Sequence, residues 1–222
     1  MNDKIIIDTA FFEAFFFDMD GLLLDTEKLC WNCFRDVCLE YGYDPDFSIY
    51  RRCIGRGTDE GNVILKNGFS QFIPYDKVNL KWNTLYRNKI GNEPVDIKDG
   101  VFELLKTLKS KNAYMAVVTS TDTQLALKKL VNSGLKDYFS VITGGDQVKN
   151  SKPDPTIYIQ AAVKAEVEPV KCIAFEDSDN GVRSALNAGM TVVQIPDLTE
   201  PSDDIRKLGH TIIRSLSLIS IK

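Results

Sequence analysis

Asp18 and Asp20 stand two residues apart directly after the apolar run Ala14-Phe15-Phe16-Phe17, and Gly21 follows them. A short aromatic run closed by a turn signal reads as a buried strand, so both carboxylates are expected at its exit. Two acids at such an exit suit covalent catalysis, one attacking as a nucleophile while the other moves the leaving group's proton. Three further polar segments repeat the arrangement. Thr119-Ser120-Thr121 follows Met115-Ala116-Val117-Val118, and Glu176-Asp177-Ser178 follows Cys172-Ile173-Ala174-Phe175. Ser151-Lys152-Pro153-Asp154-Pro155 lies in the loop beyond Val141-Ile142.

The candidate chemical groups among these segments are the four carboxylates of Asp18, Asp20, Glu176 and Asp177, a hydroxyl cluster and one lysine. The single histidine, His210, falls near the C-terminus. This argues against Ser-His-Asp and Cys-His mechanisms, because each needs an imidazole beside its nucleophile. Clustered carboxylates repel one another unless a cation sits among them. Oxygen-only donors favour a hard ion, and Mg²⁺ uses one or two carboxylates together with water and substrate phosphate. Lysine and hydroxyl donors suit the remaining phosphate oxygens. Phosphoryl transfer, which relies on positioning and charge neutralisation, is the reaction class these groups serve.

The stretches between the apolar runs carry helical patterns. Thr121 to Val131 stops at Asn132-Ser133-Gly134, Thr156 to Ala165 repeats the pattern, and Asn180 to Ala188 is closed by Gly189. Val192 to Ile195 supplies another strand before Pro196. Strands alternating with helices imply right-handed crossovers and a parallel sheet covered on both faces. In such sheets ligands bind beyond the carboxyl ends of the strands. The fold is thus expected to gather Asp18, Asp20, Thr119, Lys152, Glu176 and Asp177 at one edge.

In this order the four segments resemble the four motifs of the haloacid dehalogenase superfamily, in the branch that contains β-phosphoglucomutase and the sugar-phosphate phosphatases. The resemblance runs from about Phe15 to about Pro196. It implies a Rossmann-like α/β core with an inserted small α-helical cap. Asp18 is then the nucleophile and Asp20 the acid/base. Thr119, the Ser120 amide and Lys152 hold the phosphoryl oxygens. Mg²⁺ is held by the Asp18 side chain, the Asp20 carbonyl, Glu176 and Asp177. The implied reaction has two steps, formation of an aspartyl phosphate and its cleavage by water.

Residues 26–93 interrupt the alternating pattern with helical stretches, Trp31, Phe34, Cys38 and Tyr41 among them, and match the expected cap. Residues 1–25 and 94–222 form the core, with hinges near Leu22 to Thr26 and at Gly91-Asn92-Glu93-Pro94. A cap of this kind closes over substrate and excludes water. Within it Arg56, flanked by Gly55 and Gly57, is a candidate substrate contact. In β-phosphoglucomutase a cap-helix histidine couples catalysis to closure. Cys30 stands at that position here, and Thr58 stands where an arginine is expected. These departures favour water as the final acceptor. A hexose-phosphate mutase is the alternative, and a catalytically silent binding protein on the same fold is a second.

The chain has 222 residues, 44% hydrophobic, and a formal net charge of -4. That size supports one sizeable core with a smaller module. The charge gives no electrostatic footprint for nucleic acid or an anionic membrane, and no run approaches the roughly 20 apolar residues that span a bilayer. The apolar N-terminus, interrupted by Asp8 and Glu13, reads as a structural extension or added β-segment. Five cysteines suit a reduced cytosol. Cys30 and Cys33 form a CxxC within a helical pattern, where packing is the favoured reading over a redox or zinc site. A monomeric, cytoplasmic enzyme acting on a small phosphorylated metabolite is expected.

Overall fold

The computed structural model describes residues 4–54 and 58–222. Its centre is a six-stranded, all-parallel sheet. The strands are β2 (Ala14–Phe17), β3 (Tyr114–Val118), β4 (Val141–Thr143), β5 (Cys172–Glu176), β6 (Thr191–Gln194) and β7 (Thr211–Ile212). Their spatial order is β4-β3-β2-β5-β6-β7. β2 therefore lies in the middle, between β3 and β5, where the chain's progress across the sheet reverses. Such a reversal opens a crevice at the strand ends. Ala14 to Phe17 pair in register with Tyr114 to Val117 on one side and with Cys172 to Phe175 on the other.

The side-chain period of two divides this sheet between two apolar layers. Phe15, Phe17, Met115, Val117, Ile173 and Phe175 enter one, while Ala14, Phe16, Ala116, Val118, Cys172 and Ala174 enter the other. Every residue of β2 and β5 is buried, which is why these runs read as continuously apolar. Fully burying each such Phe contributes about 1.5–3 kcal/mol. Helices cover both faces: α5 (Val101–Ser110), α6 (Thr123–Asn132), α7 (Thr156–Ala165), α8 (Asp179–Asn187) and the short α9 (Asp203–Arg206). Two of these begin on the site's own loops. Asp122 Oδ1 accepts from the Gln124 and Leu125 amides at the start of α6, and Ser178 Oγ accepts from the Gly181 amide at the start of α8. Both are side-chain N-caps.

The segment between β2 and α5 folds as helices α1 (Thr26–Glu40), α2 (Phe47–Arg51), α3 (Thr58–Phe69) and α4 (Tyr75–Asn92). They enclose their own core of Phe34, Val37, Cys38, Tyr50, Leu65, Phe69, Ile73, Tyr75 and Val78. α4 continues through Asn92, so helix occupies the first half of the stretch expected as a hinge. The chain crosses between the two units on adjacent segments: the Asp25 amide donates to Asp96 O at 2.8 Å, and the Lys98 amide to Leu23 O at 3.1 Å. The N-terminal segment forms β1 (Ile5–Ile7), which pairs in parallel with β8 (Ile219–Ile221) in a separate two-stranded sheet. No helix among the described residues is long and apolar enough to cross a membrane.

Candidate active site

Asp18 leaves β2 with its amide still bonded to Phe175 O, at 3.0 Å. A tight turn follows, in which the Leu23 and Leu24 amides donate to Met19 O and the Gly21 amide donates to Leu24 O. Gly21 takes φ +85°, where side-chain-bearing residues are strained. A β-carbon there would also collide with Asp177 Oδ2. Glycine thus lets the exits of β2 and β5 approach each other.

Lys152 connects the nucleophile candidate to the acidic pair. Its Nζ donates to Asp18 Oδ1 at 2.5 Å, to Glu176 Oε1 at 2.6 Å and to Val118 O at 3.0 Å. Its side chain is 5% exposed. Glu176 is fully buried, and its Oε1 also accepts from the Tyr158 hydroxyl at 2.6 Å. Gly181 admits this carboxylate against the start of α8, since a β-carbon there would overlap it. Asp18, Glu176 and Asp177 place one carboxylate oxygen each within 4.8 Å of the others. Burial, only partly opposed by the Lys152 charge and reinforced by Glu176, pushes the Asp18 carboxyl up to about 7. Burial and the charges of Asp18 and Glu176 raise Asp177 well above its ordinary value. Three carboxylate oxygens this close repel one another when charged, and a hard divalent cation fits among them because its charge offsets that repulsion.

Asp20 has a different setting. Lys129 Nζ donates to its Oδ1 at 2.7 Å and the Thr121 hydroxyl to its Oδ2 at 2.6 Å. Burial alone would raise this carboxyl, but the Lys129 charge and these two hydrogen bonds outweigh it and hold Asp20 below the usual range. Thr119 is buried at the end of β3, where its hydroxyl accepts from the Thr121 amide at 3.1 Å, and Ser120 beside it is exposed. Glu27, in the first turn of α1, is half-buried, and burial with the charges of Asp20 and Asp197 pushes it to about 7.

All seven expected core positions, Asp18, Asp20, Thr119, Ser120, Lys152, Glu176 and Asp177, lie at the carboxyl ends of β2, β3 and β5 or in the loop after β4. Arg56 lies outside the described residues. Sequence reasoning missed Lys129, Tyr158, Glu27 and Asp197. Lys129 sits inside the pattern of α6, where a lysine ordinarily reads as solvated. Asp197 had a signal, since it follows the last residues of β6 at the same edge of the sheet. Among the described residues no disulfide forms, and Cys33 is buried in α1, in keeping with a packing role for the CxxC.

The sequence profile of the family described as haloacid dehalogenase-like hydrolase matches residues 15–195. A phosphorylated carbohydrates phosphatase of Thermotoga maritima is 39% identical over 179 residues, which are 80% of this chain and 82% of that protein. A fructose-1-phosphate phosphatase of Escherichia coli is 29% identical over 181 residues, 81% of this chain and 94% of that protein. Among solved structures, a putative beta-phosphoglucomutase from Thermotoga maritima superposes with a TM-score of 0.77 at 32% identity, covering 92% of this chain and 95% of that one. On fold, motif geometry and these similarities, the chain belongs to the haloacid dehalogenase-like hydrolases.

Proposed function

We propose that this enzyme is a Mg²⁺-dependent phosphatase that hydrolyses a small phosphorylated carbohydrate through an aspartyl phosphate on Asp18. One observation carries the reading: Lys152 bridges the buried Asp18 and Glu176 carboxylates, which converge with that of the half-buried Asp177 at the exit of the central strand. A phosphomonoester supplies the negative oxygens that Lys152 attracts, and the similar proteins are named as phosphatases of phosphorylated carbohydrates and of fructose 1-phosphate.

In the first step an Asp18 carboxylate oxygen attacks phosphorus in line, the bond to the leaving oxygen breaks, and Asp20 gives that oxygen a proton. Because the metal-free protein holds Asp18 above and Asp20 below the ordinary carboxylate value, this division of roles requires a cation beside Asp18 and the bound phosphoryl charge beside Asp20 to reverse that order. In the second, Asp20 takes a proton from a water that attacks the phosphorus, and the Asp18 carboxylate is released. Lys129 and Thr121 aim Asp20 by holding both of its oxygens. The Asp18, Glu176 and Asp177 side chains and the Asp20 carbonyl would hold Mg²⁺. The cation would supply charge neutralisation for the carboxylates and the phosphoryl group. Thr119 and the Ser120 amide would support the phosphoryl oxygens beside Lys152.

The mutase reading draws support from the putative beta-phosphoglucomutase whose fold this chain shares. Against it stands Cys30, whose thiol burial pushes up to about 12, a neutral group where the resemblance to β-phosphoglucomutase calls for an imidazole. The test is phosphate release from a panel of sugar phosphates, with Mg²⁺ and with chelator. Metal-dependent release is expected. Isomer formation without release would replace the reading with the mutase, and binding without turnover would replace it with a silent binding protein.

A further inference from the structure

Asp197 follows β6 at the edge of the sheet that carries the site, and the two-step mechanism makes no use of it. Its side chain is 6% exposed. Oδ1 accepts a hydrogen bond from Lys98, whose Nζ also lies 3.9 Å from Asp25 Oδ1. Oδ2 is buried and accepts no hydrogen bond from the described residues. A buried carboxylate oxygen without a donor is costly, so a native fold that keeps one calls for an explanation.

The position of that oxygen supplies one. A β-carbon on Gly21 would stand 3.4 Å from Asp197 Oδ2 and would collide with Asp177 Oδ2. Two carboxylate oxygens, from the exits of β5 and β6, thus converge on a spot that a glycine keeps clear. The charged groups acting on Asp197 and Asp177 there are Asp18, Glu176, Asp25, Lys152 and Lys98, and Glu27 is close enough to feel Asp197. Carboxylates outnumber lysines at this convergence. Lys98 is already committed to Asp197 Oδ1 and Lys152 to Asp18 and Glu176. None of the described residues is thus left to serve Oδ2, which leaves it open to a donor from a bound group. Mg²⁺ characteristically keeps several of its waters, and each such water is a strong donor in need of an acceptor.

We propose that Asp197 belongs to the cation site as an outer acceptor: its Oδ2 receives a hydrogen bond from a water carried by the divalent ion, and Lys98 fixes the direction of that oxygen. The inference rests on the cation site of the phosphatase reading. Outer residues of this kind typically change metal affinity by about 10–100-fold.

The test is Asp197→Asn in the full chain, which keeps shape and an acceptor for Lys98 but removes the charge. Mg²⁺ affinity is read by titration calorimetry, and the unfolding temperature is read with chelator and with excess Mg²⁺. The expected result is a roughly 10–100-fold weaker Mg²⁺ affinity. With chelator the unfolding temperature should be unchanged or higher, because a like charge beside Asp177 is gone. Unchanged affinity, or a loss of stability as large with chelator as with Mg²⁺, would overturn the proposal. Should the amide variant not fold, Asp197→Ser goes through the same titration with the same criteria. A wild-type protein that binds no Mg²⁺ would overturn this inference together with the cation site. One that binds Mg²⁺ without releasing phosphate would overturn the phosphatase reading alone.

Discussion

The nucleophile side and the acid/base side of the site begin two residues apart and end in opposite electrostatic states. Burial raises the Asp18 carboxyl to about 7, and Lys152, which it shares with Glu176, only partly opposes that rise while the Glu176 charge adds to it. Asp20 has Lys129 on one oxygen and a hydroxyl on the other, so it falls below the usual range. Identical side chains differ because one faces an excess of carboxylates and the other a lysine of its own. The first arrangement favours a cation among its oxygens, whereas the second is already balanced by the protein.

The largest effect should follow Asp18→Asn, which removes the attacking oxygen while keeping the shape. Phosphate release should fall to background and no phosphorylated enzyme should be trapped; turnover at the wild-type rate would remove Asp18 from the mechanism. Asp20→Asn should lower turnover of an alkyl phosphate by about 10²–10⁴-fold, the usual worth of general acid catalysis. With p-nitrophenyl phosphate, whose leaving group needs no proton, the first-turnover burst should survive. Equal losses on both substrates would argue that Asp20 only supports the fold. Lys129→Met should reproduce that substrate dependence in a milder form, a loss of up to about 10²-fold on the alkyl phosphate.

Stability separates the two sides further. Lys152→Met leaves two buried carboxylates unpaired and should destabilise the metal-free protein by roughly 3 kcal/mol, as removal of one partner from a buried ion pair generally does. Denaturant unfolding with chelator would measure it. The pH dependence carries the smallest and most diagnostic signal. With chelator present, unfolded chains lose the Asp18 proton near the ordinary 3.8, whereas the folded protein keeps it to about 7. The folded state therefore binds more protons in that window, and this contribution to stability falls as pH rises from about 4 to about 7. Asp20, being depressed, acts with the opposite sign: its contribution is present above 3.8 and is lost as pH falls through its lower folded value. Asp18→Asn should flatten the first trend, and Asp20→Asn the second, in unfolding temperatures recorded across pH. A wild-type profile that both variants leave unchanged would show that the contrast has no energetic consequence.

Legibility in the sequence followed the range of the interactions. The strand runs around Phe16, Val117 and Ala174 were visible because a strand buried on both faces must be apolar throughout, and that constraint is local. Thr156 to Ala165 showed its helix with the bounds observed. The hinge at Gly91 was less clear: its residues suit a turn, yet α4 continues through Asn92, just past Ile90, which is buried in the cluster of Leu22 to Leu24 and Val95. The pairing of Ile5–Ile7 with Ile219–Ile221 joins opposite ends of the chain, which no local pattern encodes.

The same division holds for the site. By itself the sequence determined which residues would lie at one edge of the sheet, because a carboxylate or lysine next to a buried strand exit has nowhere else to go. It also pointed to the reaction class, through clustered carboxylates, hydroxyls and a lysine with no histidine among them. Only the tertiary structure decided which lysine serves which carboxylate, that Tyr158 and Lys152 together hold Glu176, and that Asp197 meets Asp177 across Gly21. The reason is physical: charge interactions depend on separation and burial, and residues 109 positions apart, such as Asp20 and Lys129, become neighbours only when the sheet and its helices close around them.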